Sequence, residues 1–201
     1  LLLALLLEPM HLHAGQAVAV PTGILHTYLR GLAVEAQASS DNTVRAGLTD
    51  KHVDRGELLR ILRYEAPAGL RTALSADSSA EEFAVPAVPD FRLTRFTLGQ
   101  DPVKLVDGVP RIVLVTDGRA SLTADGTRTA LERGSSAFVP AADAAVELVG
   151  PGTAFVVAPG PDARPVDQRP ALAYEGPAQD RLDHVGVEDV GRPSQQSRRF
   201  D

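Results

Sequence analysis

The sequence contains no cysteine and no tryptophan, and aromatic residues make up only 4% of its 201 residues. Without cysteine the chain can form no disulfide, no cysteine-ligated zinc finger and no cysteine nucleophile. A core must therefore be built from aliphatic side chains, and the apolar share of 44% is sufficient for one. Because the absence of disulfides is compatible with a reducing cytosol, we expect a cytoplasmic protein.

The sequence also lacks blocks of one charge. The formal net charge is −6, with acidic and basic residues interspersed. Neither basic runs nor aromatic residues interleaved with Lys and Arg are present, so we expect no nucleic acid or membrane partner. A small anionic substrate is compatible with this composition, because it needs only a few local cations.

Residues 1–7 form an apolar run that is too short to span a membrane. The run lacks a basic flank and leads into an alternating pattern instead of a cleavage site, so it does not match a signal peptide. We interpret it as a buried β-strand and expect the chain that precedes it to lie outside this sequence.

The remaining patterns predict a mainly β protein. Short alternating or apolar runs bounded by Gly, Pro and Asp predict strands: these are residues 17–20, 25–34, 91–98, 111–116, 120–123, 127–131, 137–140 and 153–158. Asp54 and Glu57 form a capping-box pattern that predicts a helix over residues 54–64. Residues 65–87 are interpreted as a linker, and residues 159–201 as a disordered tail.

One short internal repeat is visible. Leu12-His13-Ala14-Gly15, five residues and Pro21 recur as Leu131-Glu132-Arg133-Gly134, five residues and Pro140. We interpret this repeat as two copies of one β-roll unit, the first of them entered midway.

Three histidines are candidate metal ligands. The spacing Gly15-x5-Pro21-x-Gly23-x2-His26 is that of the second cupin motif, in which a His on a returning strand points into a barrel. The alternative is a hydrogen-bonded structural histidine. His11 and His13 would share one side of a strand, and their alternative is a solvated strand end.

A polar segment follows His26. Tyr28, Glu35, Asp41, Arg45 and Lys51 lie within 26 residues of one another and of His26. Arg45 and Lys51 are candidates for a phosphate or oxyanion cradle. Charge pattern alone leaves an alternative open, in which an Asp41–Arg45 ion pair staples a loop and Lys51 is solvated.

The run from His26-Thr27-Tyr28 to Ser40-Asp41-Asn42-x-x-Arg45-x-Gly47-Leu48-Thr49-x-Lys51 resembles the signature of type I phosphomannose isomerases. The resemblance implies cupin-type jelly rolls, the first incomplete at its N-terminus, with a short connecting helix. It implies zinc, with His26 as a ligand, Arg45, Asp41 and Lys51 in catalysis, and Glu35, Tyr28 and Lys51 in substrate binding. Thr27, Gln37 and Asp50 depart from the family pattern.

The resemblance further implies a domain order and an activity. Residues 1–64 would be the C-terminal part of the catalytic cupin domain with its helix, and residues 88–158 a second cupin-like domain. That second domain is expected to be metal-free, because Ala145 stands where a cupin histidine would. The remaining zinc ligands are expected from a missing N-terminal part.

The activity implied is a zinc-assisted aldose–ketose isomerisation of mannose 6-phosphate and fructose 6-phosphate, by a monomer. The alternative is a non-catalytic sugar-binding or structural cupin fragment.

Overall fold

The computed structural model describes residues 7–37, 43–47, 49–64, 71–72, 80–83, 91–160 and 187–189. One helix, α1, spans Arg55–Ile61. The strands are β1 Gln16–Ala17, β2 Leu32–Val34, β3 Arg71–Thr72, β4 Ala80–Phe83, β5 Phe91–Leu98, β6 Val103–Lys104, β7 Arg111–Ala124, β8 Thr127–Glu132, β9 Ser136–Val139, β10 Glu147–Val149, β11 Gly152–Pro159 and β12 Val187–Asp189. In this described part of the chain, no helix has the length and hydropathy to cross a bilayer.

Eight of the strands form one antiparallel sheet. Its order is β4-β5-β11-β7-β10-β6, and β8 and β9 also pair with β7. The sheet curls into a half-barrel, which confirms the predicted mainly β, cupin-type fold. Two small sheets, β1 with β3 and β2 with β12, lie outside it.

The longest strand, β7, contradicts one expectation from the sequence. The pair Asp117-Gly118 predicts the end of a strand, but β7 continues through both residues. Gly118 has φ 65°, and a β-carbon there would collide with the carbonyl oxygen of Pro151. A glycine therefore lets the strand bend at this point and change neighbours, from β9 before the bend to β8 and β10 after it.

The strands predicted over residues 120–123 and 127–131 are paired as the two arms of a hairpin. β7 and β8 are joined by Asp125 and Gly126, with φ 46° and 75°, the left-handed pair that a two-residue turn requires. The Asp125 carboxylate accepts a hydrogen bond from the Ala144 N–H at 2.9 Å. The turn is thereby attached to the loop that precedes β10.

The core lies inside the curled sheet. Its buried members are aliphatic, as the shortage of aromatic residues predicts: Leu98, Leu105, Val113, Val115, Ala120, Leu122, Leu131, Val139, Val146, Leu148, Ala154 and Val156. Arg111 is buried with them at 2% exposure. Its guanidinium donates to the carbonyl oxygens of Val106, Pro140 and Asp143, which ties the segments before β7 and after β9 to the start of β7.

The described residues between 7 and 64 differ from the large sheet, because none of their side chains is buried. Strands predicted over residues 17–20 and 25–34 are reduced to Gln16–Ala17 and Leu32–Val34. Strand geometry depends on a hydrogen-bonded neighbour and a packed face, and little of either is present here. The prediction for residues 1–7 lies almost entirely outside the described residues.

The helix is confirmed, with a shorter range. Asp54 caps it, accepting a hydrogen bond from the Glu57 N–H at 3.0 Å, as the capping-box pattern predicts. It ends at Ile61, because Leu62 is extended and Arg63 instead forms a parallel bridge with Ile24. Ala80–Phe83, within the predicted linker, pair with β5, so the large sheet begins earlier than residue 88.

Candidate functional site

The candidate site is built on a pair of turns before His26. Gly15, at φ 86°, allows a turn in which the Gln16 N–H donates to the carbonyl of His13 at 3.0 Å. The Ile24 N–H then donates to the carbonyl of Pro21 at 3.3 Å. The carbonyl of Gly23 accepts from the Arg63 N–H at 2.9 Å, which ties the second turn to the end of α1.

His26 is oriented by the main chain. Its Nδ1 lies 3.1 Å from the carbonyl oxygen of Ile24. Because a carbonyl can only accept, this nitrogen carries the proton, and in the neutral ring Nε2 keeps its lone pair. Metal-binding histidines are commonly held in this way, with one nitrogen donating to a carbonyl and the other left for the ligand.

Tyr28 lies beside His26. The two rings are 6.2 Å apart between centroids with an interplanar angle of 77°, an edge-to-face arrangement. Tyr28 is 40% exposed. The two side chains are therefore close enough to face the same small ligand.

The other predicted site residues differ in how exposed they are. Arg45 is half-buried, Glu35 and Lys51 are exposed, and Asp41 lies outside the described residues. The Lys51 N–H donates to the Thr49 hydroxyl at 3.1 Å. Among the residues that are described, no hydrogen bond or ion pair joins Glu35, Arg45 and Lys51 to one another or to His26. Their joint action therefore stays a prediction.

The described residues do not form a metal centre by themselves. In that part of the chain, no three His, Cys, Asp or Glu side chains are grouped closely enough to hold a metal ion. His11 and His13 contact each other, with ring centroids 4.7 Å apart. A catalytic zinc needs about three protein ligands, so His26 alone does not satisfy it.

The internal repeat seen in the sequence is also a repeat of conformation. Gly134, which lies 119 residues after Gly15, has φ 85° against 86°, and the Ser135 N–H donates to the Glu132 carbonyl at 2.9 Å as Gln16 does to His13. The Asp143 N–H donates to the Pro140 carbonyl at 3.3 Å, as Ile24 does to Pro21. The same spacing pairs Gly31 with Gly150, which have φ 125° and 142°.

The family comparison concerns the second of these two units. Residues 81–159 match the family model described as mannose-6-phosphate isomerase, cupin domain. The chain is a relative of the mannose-6-phosphate isomerases. Residues 81–159, which contain most of the large sheet, are its match to their cupin domain.

Individual mannose-6-phosphate isomerases extend the similarity beyond that domain. The enzyme of Salmonella typhimurium is 35% identical over 150 residues, 74% of this chain and 38% of the relative. That of Mus musculus is 30% identical over 156 residues, 76% of this chain and 34% of the relative. The chain thus spans well under half the length of these mannose-6-phosphate isomerases.

One solved structure supports the same similarity in fold. A point mutant of phosphomannose isomerase from Salmonella typhimurium superposes with a TM-score of 0.51 at 32% identity, covering 61% of this chain and 32% of that one. Another structure of that enzyme, bound to substrate and a zinc atom, has a TM-score of 0.49.

One feature of the site could not have been found from the sequence. The group that orients His26 is the main-chain carbonyl of Ile24, and every residue type has one. The spacing of Gly15, Pro21 and Gly23 predicts a turn before His26, but the acceptor becomes identifiable only when the backbone is placed.

Proposed function

We propose that this chain contributes to an aldose–ketose isomerase that interconverts mannose 6-phosphate and fructose 6-phosphate. The observation that carries the proposal is His26, held by the Ile24 carbonyl with Nε2 left for a ligand, within the run of polar residues that resembles the isomerase signature. The Salmonella typhimurium relative, 35% identical over the aligned residues, has been crystallised with substrate and a zinc atom.

The reaction moves one proton between C1 and C2 of the sugar phosphate and one proton between O1 and O2, through an enediol. A carboxylate is the usual base for a proton on carbon next to a carbonyl, and Asp41 and Glu35 are the two candidates in this segment. Negative charge develops on the oxygen atoms of the enediolate. The guanidinium of Arg45 would stabilise that charge, an effect typically worth a few kcal/mol at such a centre.

The phosphate and hydroxyl groups of the sugar need separate contacts. Lys51 is exposed, and its ammonium is proposed to meet the phosphate. The adjacent carboxylate of Asp50 weakens that contact by opposing the negative charge of the phosphate. The Tyr28 hydroxyl is proposed as a hydrogen-bond partner of the sugar, since the ring lies beside His26.

Zinc is assigned no step in this scheme. His26 offers one ligand, and the described residues hold no group of three donors that would complete a site. We propose His26 Nε2 as one ligand of the zinc that the family resemblance implies. A cytoplasmic location and a monomeric state stay predictions.

The test is the isomerase activity of the complete gene product that contains this sequence. Consumption of mannose 6-phosphate and appearance of fructose 6-phosphate would be followed by NMR, together with the metal content of the protein. We expect turnover in the wild type, and loss of both activity and zinc in His26→Ala. A fully active His26→Ala protein would refute the assignment.

The second candidate is a non-catalytic sugar-binding or structural cupin. The hydrogen bond between the His26 ring and the Ile24 carbonyl also fits a structural histidine, which favours this candidate. A complete gene product that binds mannose 6-phosphate but produces no fructose 6-phosphate would establish this second function and exclude the first.

A further inference from the structure

A cavity of about 390 Å³ opens on the second unit, beside the turn of the β7–β8 hairpin. We call it the hairpin cavity. Six of the residues that line it are two aliphatic residues, two threonines and two aspartates: Leu122, Val139, Thr127, Thr129, Asp125 and Asp143. All six lie within residues 81–159, the match to the cupin domain.

The floor of the hairpin cavity is apolar. Leu122 and Val139 are 5% and 1% exposed and belong to the core of the half-barrel. The cavity therefore reaches the aliphatic interior of the sheet and is not only a depression in its polar surface.

The two threonines lie on the core-facing side of β8. Thr129 is directly opposite Leu122 of β7. Thr127 is directly opposite Ala124, which packs against the core. Opposite residues of antiparallel strands have their side chains on the same face of the sheet. Further along β8, that face carries the buried Leu131. The inner face of the half-barrel thus changes from aliphatic to hydroxyl-bearing side chains toward the hairpin turn.

The two aspartates are held by the main chain around them. The Asp125 N–H donates to the Ala144 carbonyl at 3.3 Å, and the Asp125 carboxylate accepts from the Ala144 N–H at 2.9 Å. The Asp143 N–H donates to the Pro140 carbonyl at 3.3 Å, and the Asp143 carbonyl accepts from Arg111 at 3.0 Å. The backbone positions of both carboxylates are therefore set before any ligand binds.

The polar side chains of the cavity have hydrogen-bonding capacity left over. Within the described part of the chain, no hydrogen bond is made by the hydroxyls of Thr127 and Thr129 or by the carboxylate of Asp143, which is half-buried. A carboxylate can only accept hydrogen bonds, and a partly desolvated one is stabilised by donors. A ligand that fits this lining therefore carries several O–H or N–H donors.

The charge of the lining selects against anions. Its two carboxylates are not offset by any Lys, Arg or His among the described residues that line the cavity. A phosphate group placed there would be repelled by both carboxylates. A small ammonium ion would bind the carboxylates but would leave the apolar floor uncovered.

An uncharged sugar satisfies each of these features. Its hydroxyl groups supply the donors, and the C–H side of its ring can cover Leu122 and Val139. Ligand sites commonly combine an apolar lining with a few placed polar groups in this way, and the open mouths of β-barrels are frequent locations for them.

We propose that the hairpin cavity binds an uncharged hexose and rejects hexose phosphates. Sugar hydroxyls donate to the carboxylates of Asp125 and Asp143, and they exchange hydrogen bonds with the two threonine hydroxyls. The cavity shares no residue with the candidate site around His26, so the proposal does not depend on the isomerase function.

The experiment is an NMR titration of the isotope-labelled 201-residue chain, followed by amide chemical shifts. Mannose and mannose 6-phosphate are the probes, because they differ only in the phosphate. We expect saturable shifts over residues 122–129 and 137–144 with mannose. Mannose 6-phosphate should bind there at least about tenfold more weakly. Methylammonium chloride tests the alternative in which the carboxylates simply attract a cation.

Matched variants identify the groups that bind. Thr129→Val removes the hydroxyl and keeps a β-branched side chain, so mannose should bind about fivefold more weakly. Thr97→Val changes an exposed threonine of β5 that does not line the cavity, and it should leave binding unchanged. Asp143→Asn removes one negative charge, so the preference for mannose over mannose 6-phosphate should narrow by about fivefold.

Four results would overturn the proposal. Mannose could give no saturable shifts in the two ranges, or mannose 6-phosphate could bind there as well as mannose does. Methylammonium could bind more tightly than mannose, or Thr129→Val could behave like Thr97→Val.

His26→Ala separates this site from the isomerase assignment, because it should leave mannose binding at the hairpin cavity unchanged. An active complete gene product whose hairpin cavity binds no mannose supports the function and overturns the site. A hairpin cavity that binds mannose in an inactive complete gene product supports the site and refutes the function.

Discussion

His26 and Ala145 occupy equivalent positions in two copies of one turn, 119 residues apart. In the first copy the carbonyl of Ile24 accepts from the His26 ring. In the second copy the equivalent carbonyl, of Asp143, accepts from the buried guanidinium of Arg111 at 3.0 Å. The same backbone acceptor thus orients a ligand-type side chain in one unit and anchors a structural cation in the other.

Arg45 is expected to act in catalysis and not in folding. In the complete gene product, Arg45→Ala should lower kcat by roughly 100-fold, because a cation that stabilises the enediolate acts only in the transition state. The melting temperature and zinc content should change little. If Arg45 instead staples a loop to Asp41, stability falls by about 1 kcal/mol, activity falls little, and Asp41→Asn has the same effect.

Zinc binding by the 201-residue chain alone is expected to be weak. His26 provides a single donor, and a stable site needs about three. Equilibrium dialysis should show no stoichiometric tight zinc. Tight binding that survives His26→Ala but is lost in His11→Ala or His13→Ala would contradict the expectation and move the site to that contacting pair.

The bend in β7 is expected to depend on Gly118. Gly118→Ala should lower the free energy of unfolding by more than about 2 kcal/mol, because the new methyl collides with the Pro151 carbonyl and φ is positive. Gly134→Ala is the matched control: its φ is also positive but the space is open, so about 1 kcal/mol is expected. Equal losses in urea unfolding would show that backbone strain alone matters.

Arg111 is expected to be a strong determinant of stability. Arg111→Ala removes the donors for the Val106, Pro140 and Asp143 carbonyls, and a loss of about 3 kcal/mol should follow. Arg128→Ala, which removes an exposed arginine that donates to the Ser121 hydroxyl, should cost under about 0.5 kcal/mol. Thermal unfolding measures both, and equal effects would contradict the buried role of Arg111.

Leu29 and Leu148 lie 119 residues apart, at equivalent positions of the two repeated units. Their truncation should have different effects on stability. In the chain alone, Leu148→Ala should destabilise by about 2–5 kcal/mol, since its side chain is fully buried. Leu29→Ala should change stability by less than about 0.5 kcal/mol, because its side chain is 72% exposed. A large loss in Leu29→Ala would show that the first unit has a core of its own.

Several local features could be predicted from the sequence because a few neighbouring residues encode them. Asp54 and Glu57 predict the helix start, and Asp125-Gly126 predicts a tight hairpin, since these residue types are strongly favoured at a helix cap and in a left-handed turn. The polar run after His26 likewise indicated the family, which the comparison with known isomerases supports.

The course of the longest strand and the burial of individual leucines depended on tertiary structure. Asp117-Gly118 has the composition of a turn, yet β7 continues through it because β11 pairs with both residues and β8 pairs with β7 from Arg119 onward. Leu29 and Leu148 follow equivalent turns, and nothing near them in sequence tells which one is buried. Burial and strand pairing depend on partners distant in the chain, and local residue preferences carry no information about whether those partners are there.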